Sequence, residues 1–98
     1  MSFWAYILHC CDDSYYTGHT DDLEKRIALH QAGILEGYTA RRRPIKLVFS
    51  QEFGTREEAL RAEFQIKGWT RRKKEALIKQ DWQALKNFAR GKNKKTKL

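Results

Sequence analysis

Residues 3–10, Phe-Trp-Ala-Tyr-Ile-Leu-His-Cys, are aromatic, branched or apolar almost without interruption, and predict a strand. Asp12-Asp13-Ser14 reads as a turn, and residues 15–19, Tyr-Tyr-Thr-Gly-His, as a second strand completing an antiparallel hairpin. A helix follows to about Gln31. Asp21 is its expected cap, with Glu24 completing a capping box, and Gly33 is its stop signal. Residues 33–44 lack periodicity, contain Gly33, Gly37 and Pro44, and read as a loop with at most a short helical turn. Residues 45–52 predict a third strand. Thr55, with Glu58 three residues on, opens a helix ending near Lys67-Gly68. Thr70 caps a third helix through Lys79, and Asp81 a fourth, in which Trp82, Leu85 and Phe88 recur at helical spacing. The order β-β-α-β-α-α-α predicts an α+β fold: a three-stranded antiparallel sheet flanked by helices.

Several polar residues fall on apolar stripes. In the first helix, Leu23, Arg26, Ile27 and His30 share one face at i, i+3, i+4, i+7. An arginine there either snorkels past the core edge or points at an anion. In the second long helix, Ala59, Leu60 and Phe64 are the expected inner face, with Glu63 among them. A desolvated carboxylate needs a partner or a metal. The plainest partner is Lys67 at i+4, worth about 0.3–0.5 kcal/mol.

Alternation puts Trp4, Tyr6 and Leu8 on one face of the first strand. Register decides whether Tyr16 joins them. With Cys11 opposite Ser14 the two phenols face apart. With Cys11 opposite Tyr15, leaving a three-residue turn, they share a face. The second register, or an equivalent bulge, is expected. The plain alternative use for both rings is a small aromatic core.

Length and charge narrow the function. The chain has 98 residues, 41% of them hydrophobic, enough for one modest core. Residues 1–90 are expected to form one domain, and the lysine-rich 91–98 a basic tail that is disordered in isolation. No run approaches the length of a membrane span, and no secretory leader opens the chain. Adjacent Cys10 and Cys11 are too close for an ordinary disulfide and read as reduced thiols of a cytoplasmic protein. No Cys/His spacing suggests zinc. Of the net charge of +8, residues 1–70 contribute 9 basic and 10 acidic residues, and residues 71–98 contribute 11 basic and 2 acidic. The excess therefore sits in the last quarter, where a polyanion is the natural partner, nucleic acid before an anionic membrane surface. A solvated, solubilising face is the other use of such charge.

Trp4-Ala5-Tyr6, ten residues before Tyr16-Thr17-Gly18, resembles the paired motif of the GIY-YIG nucleases, with Trp4 and Ala5 in place of glycine and isoleucine. Downstream, the run from Thr20 to Ile27, then His30, then Glu63 in Glu-Ala-Leu-Arg-Ala-Glu-Phe continue the match. Residues 38–44, Tyr-Thr-Ala-Arg-Arg-Arg-Pro, are similar to the family's small standalone bacterial branch. The resemblance spans about residues 3–80. It implies a DNA endonuclease dependent on Mg²⁺ or Mn²⁺, acting in repair, recombination or other DNA processing, on single-stranded, branched or duplex DNA; no protein partner is expected. Tyr6 resembles the phenol that activates or positions the attacking water, and Tyr16 its companion at the phosphate. Arg26 resembles the arginine contacting that phosphate, His30 the histidine some members use in proton transfer, and Glu63 the single protein ligand of the metal. The asparagine that several members place after this glutamate has no counterpart here, since Asn87 falls too late.

The chemistry is coherent. Phosphodiester hydrolysis gathers negative charge in its transition state, which a guanidinium and a divalent cation stabilise. A Mg²⁺ or Mn²⁺ ion keeps several waters and needs few carboxylates. A phenol with an ordinary pKa of about 10 is a poor base at neutral pH. Either Arg26 and the metal favour its ionised form, or Tyr6 orients water while His30 takes the proton. Arg41, Arg42, Arg43 and Lys46 in the loop, with Lys67, Arg71, Arg72, Lys73, Lys74 and the 92–97 lysines, are the expected phosphate grip. Arg71–Lys74 oppose the dipole of the helix they open, but cations and free N–H groups together suit a phosphate. Trp69 and Trp82 are expected in the core, base stacking being the other use of Trp69. A non-catalytic nucleic-acid-binding module with the same fold is the alternative function.

Overall fold

The computed structural model of the chain describes residues 2–35 and 37–86. The chain divides into two compact units, one ending at Lys67 and one beginning at Gly68. The first unit holds β1 (Phe3–His9), β2 (Tyr15–Thr20), α1 (Leu23–Ala32), β3 (Lys46–Phe53) and α2 (Arg56–Lys67). The strands form one antiparallel sheet in the order β2-β1-β3. The three-stranded α+β architecture expected from the pattern is therefore present.

The hairpin keeps the expected parity and three-residue turn, but the turn sits one residue earlier, so each β1 residue pairs two positions from its expected partner. Cys10, not Cys11, ends the ladder: its N–H donates to the Ser14 carbonyl, and the Asp13 N–H donates back to the Cys10 carbonyl. Asp13 takes φ 69°, a left-handed conformation that Asp tolerates better than most residues, and the Asp12 carboxylate accepts from the Ser14 N–H and hydroxyl. A three-residue turn ending in a left-handed residue is a standard hairpin closure. Tyr6 then pairs with Gly18 and Leu8 with Tyr16, so both phenols share a face. Ala5, Ile7, Thr17 and His19 point the other way.

Central β1 is covered on both faces, which is why Ala5, Tyr6, Ile7 and Leu8 are all buried. On one face Tyr6, Leu8, Cys10 and Ile45 form the core cluster, with Tyr16 and with Leu23 and Ile27 of α1 packed against it. α2 lies against β1 and β2, and its Glu63 meets His19 of the opposite face. Between Ile7 and Leu8 the β1–β3 ladder shifts register, with Val48 as the extra residue of a bulge.

Three local expectations are corrected. Asp22, not Asp21, caps α1: its side chain accepts from the Lys25 N–H. The Thr20 hydroxyl accepts from the Asp22 N–H and so carries the chain one residue further before the helix begins, while Asp21 pairs with Arg56. The inner face of α2 is Ala59, Glu63 and Ile66; Phe64 is 63% exposed. Ala59 has the small side chain that lets a helix approach a sheet, and it turns Phe64 outward. Trp82 is 57% exposed rather than in a core.

The second unit contains α3 (Arg71–Ile78), capped by Thr70, whose hydroxyl accepts from Lys73 N–H. The Asp81 side chain accepts from the Ala84 N–H at the start of a further helical turn. Phe88, Asn87 and the 91–98 tail lie outside the described residues. No helix among the described residues is long and apolar enough to cross a membrane.

Candidate active site

Gly18 makes room for the centre of the site. A Cβ there would stand 2.6 Å from the Tyr6 hydroxyl and 2.8 Å from its Cζ, so the Tyr6 ring lies directly over the glycine. The phenol is 1% exposed. Its hydroxyl is 3.0 Å from Nε2 of His30, which α1 delivers at the last turn of the expected stripe, 4% exposed. His30 Nδ1 is in turn 2.7 Å from Oγ1 of Thr39 in the loop before β3. The Tyr16 ring meets His30 edge-on at 5.2 Å and stacks on Tyr38 at 6.1 Å.

Electrostatics sets the protonation of this cluster. Burial foremost, then Tyr16 and Glu63, push the Tyr6 phenol well above its ordinary value, against the lowering effect of Arg26. Burial and the charge of Arg26 push the His30 imidazole down. At neutral pH the pair is therefore a protonated phenol against a neutral imidazole. Arg26 is half-buried beside both, and its side chain has no hydrogen-bond or ion-pair partner among the described residues. A partly buried guanidinium lacking a carboxylate partner is suited to accept an anion.

Glu63 reaches the sheet at strand β2 through His19, whose side chain points away from the Tyr6 face, and its charge still acts on Tyr6. Glu63 is 7% exposed, yet burial, which alone would raise its carboxyl, is outweighed by hydrogen bonds from Lys67 and His19 and by their charges, so its pKa is lowered. Lys67 Nζ lies 2.9 Å from Oε2, and His19 Nδ1 lies 2.7 Å from Oε1. An ionised carboxylate only accepts, so Nδ1 of His19 carries the proton. Among the described residues no three His, Cys, Asp or Glu side chains converge as a metal-binding group. The donor set for a cation here is one hard, ionised carboxylate. Each of its oxygens already accepts one hydrogen bond, so it would offer a cation only a remaining lone pair, which suits Mg²⁺ or Mn²⁺ retaining most of its water rather than a closed zinc-type cage.

The structure thus brings Tyr6, Tyr16 and His30 into contact, and places Arg26 and Glu63 where their charges act on Tyr6. His19, Thr39 and Tyr38 were missed as site neighbours. Strand alternation could have flagged His19 as facing away from Tyr16; Thr39 sits in an aperiodic segment and carries no local signal.

The basic residues divide. Arg42 is tied to the hairpin turn and its own loop: Nε donates to Asp12 at 2.9 Å, Nη1 donates to the Tyr38 carbonyl at 2.7 Å, and Cζ lies 3.9 Å over the Tyr38 ring. Arg43 donates to the carbonyls of Ala40 and Gln31 and covers Gly33, whose left-handed φ of 73° ends α1. Arg41 and Lys46 are exposed. In the second unit Arg72 is exposed, Lys74 is half-buried, Arg71 pairs with Glu75, and Lys73 Nζ lies 4.2 Å over the half-buried Trp69 ring.

A model of the GIY-YIG catalytic domain family matches residues 2–76. The chain is 44% identical over 75 residues to the UPF0213 protein YazA of Bacillus subtilis, covering 76% of each. It is 45% identical over 78 residues to the UPF0213 protein BH0048 of Halalkalibacterium halodurans, covering 80% of this chain and 83% of the relative. The solution NMR structure of BH0048 superposes with a TM-score of 0.53 over 81% of this chain and 84% of that one. That of EF2693 from E. faecalis, 37% identical, superposes with a TM-score of 0.51 over 91% and 88%. With the paired tyrosines on one face of the sheet and the match running from the first strand into α3, the chain belongs to the GIY-YIG nuclease family, among the small bacterial UPF0213 proteins.

Proposed function

We propose that this chain is a divalent-metal-dependent endonuclease hydrolysing DNA phosphodiester bonds, with Tyr6, Tyr16, Arg26, His30 and Glu63 as its active-site residues. One observation carries the reading: a buried phenol hydroxyl 3.0 Å from a neutral imidazole nitrogen, beside an arginine with no partner among the described residues. Arg26 binds the phosphate through forked donors. Because the Tyr6 phenol is pushed up, it acts as a hydroxyl that positions water, and the neutral imidazole of His30 is the group able to hold a proton. Tyr16 walls the site against His30. Glu63 would hold Mg²⁺ or Mn²⁺, which when bound would supply Lewis-acid stabilisation of charge on phosphate oxygens. Arg41, Lys46, Arg71, Arg72, Lys73 and Lys74 grip backbone phosphates, while Lys67 is held by Glu63 and Arg42 and Arg43 brace the loop that presents the first of these. Such an enzyme serves DNA repair, recombination or processing in the cytoplasm.

The test is a cleavage panel of labelled single-stranded, duplex and branched DNA with Mg²⁺ or Mn²⁺, with EDTA as control, beside Glu63→Ala and Tyr6→Phe. Metal-dependent cleavage is expected for the parent. Each variant should lose at least about 10²-fold in rate, the scale of a positioned catalytic group, while keeping its circular dichroism. Full cleavage by Glu63→Ala would remove the metal role. DNA binding without cleavage on every substrate would favour a non-catalytic binding module.

A further inference from the structure

We propose that Thr39 is a positioning residue that holds the proton of neutral His30 on Nδ1, leaving Nε2 as the acceptor for the Tyr6 hydroxyl. The inference rests on the nuclease reading for its catalytic consequence but not for its geometry. Three polar side chains form a line: Tyr6 at 1%, His30 at 4% and Thr39 at 2% exposure, with contacts of 3.0 Å and 2.7 Å. A neutral imidazole has one donor and one acceptor nitrogen, so the line can run in one of two directions. In one, Tyr6 donates to Nε2 and Nδ1–H donates to Thr39. In the other, Thr39 donates to Nδ1 and Nε2–H donates to Tyr6.

The relative acidity of the two hydroxyls decides. A phenol is a stronger acid than an aliphatic alcohol, and so the better donor to an imidazole nitrogen. The threonine oxygen is correspondingly the better acceptor for the ring N–H. The first direction places each group in its stronger role. Thr39 is fixed to do this by its neighbours. Tyr38 is stacked on Tyr16 and covered by Arg42, and the Arg42 N–H donates to the Thr39 carbonyl.

The consequence for hydrolysis is a balanced relay. A water gives one proton to the Tyr6 oxygen as Tyr6 passes its own to His30 Nε2. The water oxygen forms the bond to phosphorus, the phosphorus–oxygen bond to the leaving group breaks, and that oxygen takes a proton from solvent. Tyr6 never has to persist as a phenolate, which its buried setting disfavours. With the other tautomer Nε2 already carries a proton and the relay has no acceptor.

Long-range ¹H–¹⁵N correlation spectra of protein labelled in histidine nitrogen read the tautomer directly. The parent is expected to show His30 protonated on Nδ1; protonation on Nε2 overturns the proposal. Thr39→Val should convert His30 to a mixture or to the other tautomer and slow cleavage by about 10²-fold, the low end of what positioned proton transfer contributes. Thr39→Ser should restore the parent spectrum and recover most of that rate. An unchanged His30 spectrum or an unchanged rate in Thr39→Val overturns it as well. If Thr39→Val does not fold, Thr39→Ala, which removes the same hydroxyl without adding bulk, decides by the same His30 spectrum. If the parent cleaves no DNA, the nuclease reading fails while the tautomer result stands or falls by itself.

Discussion

At the scale of the residue, Gly18 and His30 show how little freedom the site has. The Tyr6 ring occupies the space above Gly18 that a Cβ would fill. Gly18→Ala is therefore an overpacking change, expected to cost about 1–3 kcal/mol in urea unfolding and to break the Tyr6–His30 hydrogen bond, which the His30 nitrogen spectrum would report. His30 carries a pH signature. Burial first, then Arg26, hold its folded pKa below the ordinary value. As pH falls through about 6.5 the unfolded chain takes up the proton before the folded one does. Stability owed to neutral His30 is thus complete above that pH and lost as pH falls from there through the folded value. Urea midpoints at pH 7.5, 6.5 and 5.5 should drop more steeply for the parent than for His30→Gln. Parallel profiles would assign the loss to other groups.

At the scale of the element, the helices were legible as helices but not in their exact seating. Ser, Thr and Asp before a periodic run announce a helix start, and Thr55 and Thr70 cap as their spacing predicts. Asp21 and Asp22 are equally good caps by composition. The Thr20 hydroxyl, placed by the end of β2, selects the second. Asp22→Ala should accordingly cost about 1 kcal/mol and loosen the helix that carries Arg26 and His30. Asp21→Ala removes only an exposed pair with Arg56 at 3.4 Å, worth about 0.2–0.5 kcal/mol. Urea unfolding of the two variants reads the difference. In α2, Leu60 with Phe64 and Ala59 with Glu63 are both i, i+4 pairs, so periodicity alone could not choose the inner face. Close approach to the sheet favours the alanine, and Glu63 is tolerated there because His19 and Lys67 meet it.

At the scale of the whole molecule, the charge excess of residues 71–98 predicts binding dominated by counterion release. DNA affinity should fall steeply between 50 and 200 mM salt, and replacing both Arg72 and Lys74 by alanine should lower the slope of log K against log salt by about 1.4–1.8, read by fluorescence anisotropy. An unchanged slope would place the phosphate contacts elsewhere. The sequence by itself determined the strands and helices, the expectation of two phenols on one face, the stripe carrying Arg26 and His30, and the family. All of these rest on periodicity, turn chemistry and motif spacing, which are local along the chain. The Glu63–Lys67 pair, four residues apart, is part of that local record. Only the tertiary structure decided that Glu63 also meets His19, that Arg42 and Arg43 brace their own loop, and that Thr39 closes the line behind His30. Those contacts join residues up to 44 positions apart, and hydrogen bonds of that reach are set by how helix and loop pack on the sheet, which no window along the chain encodes.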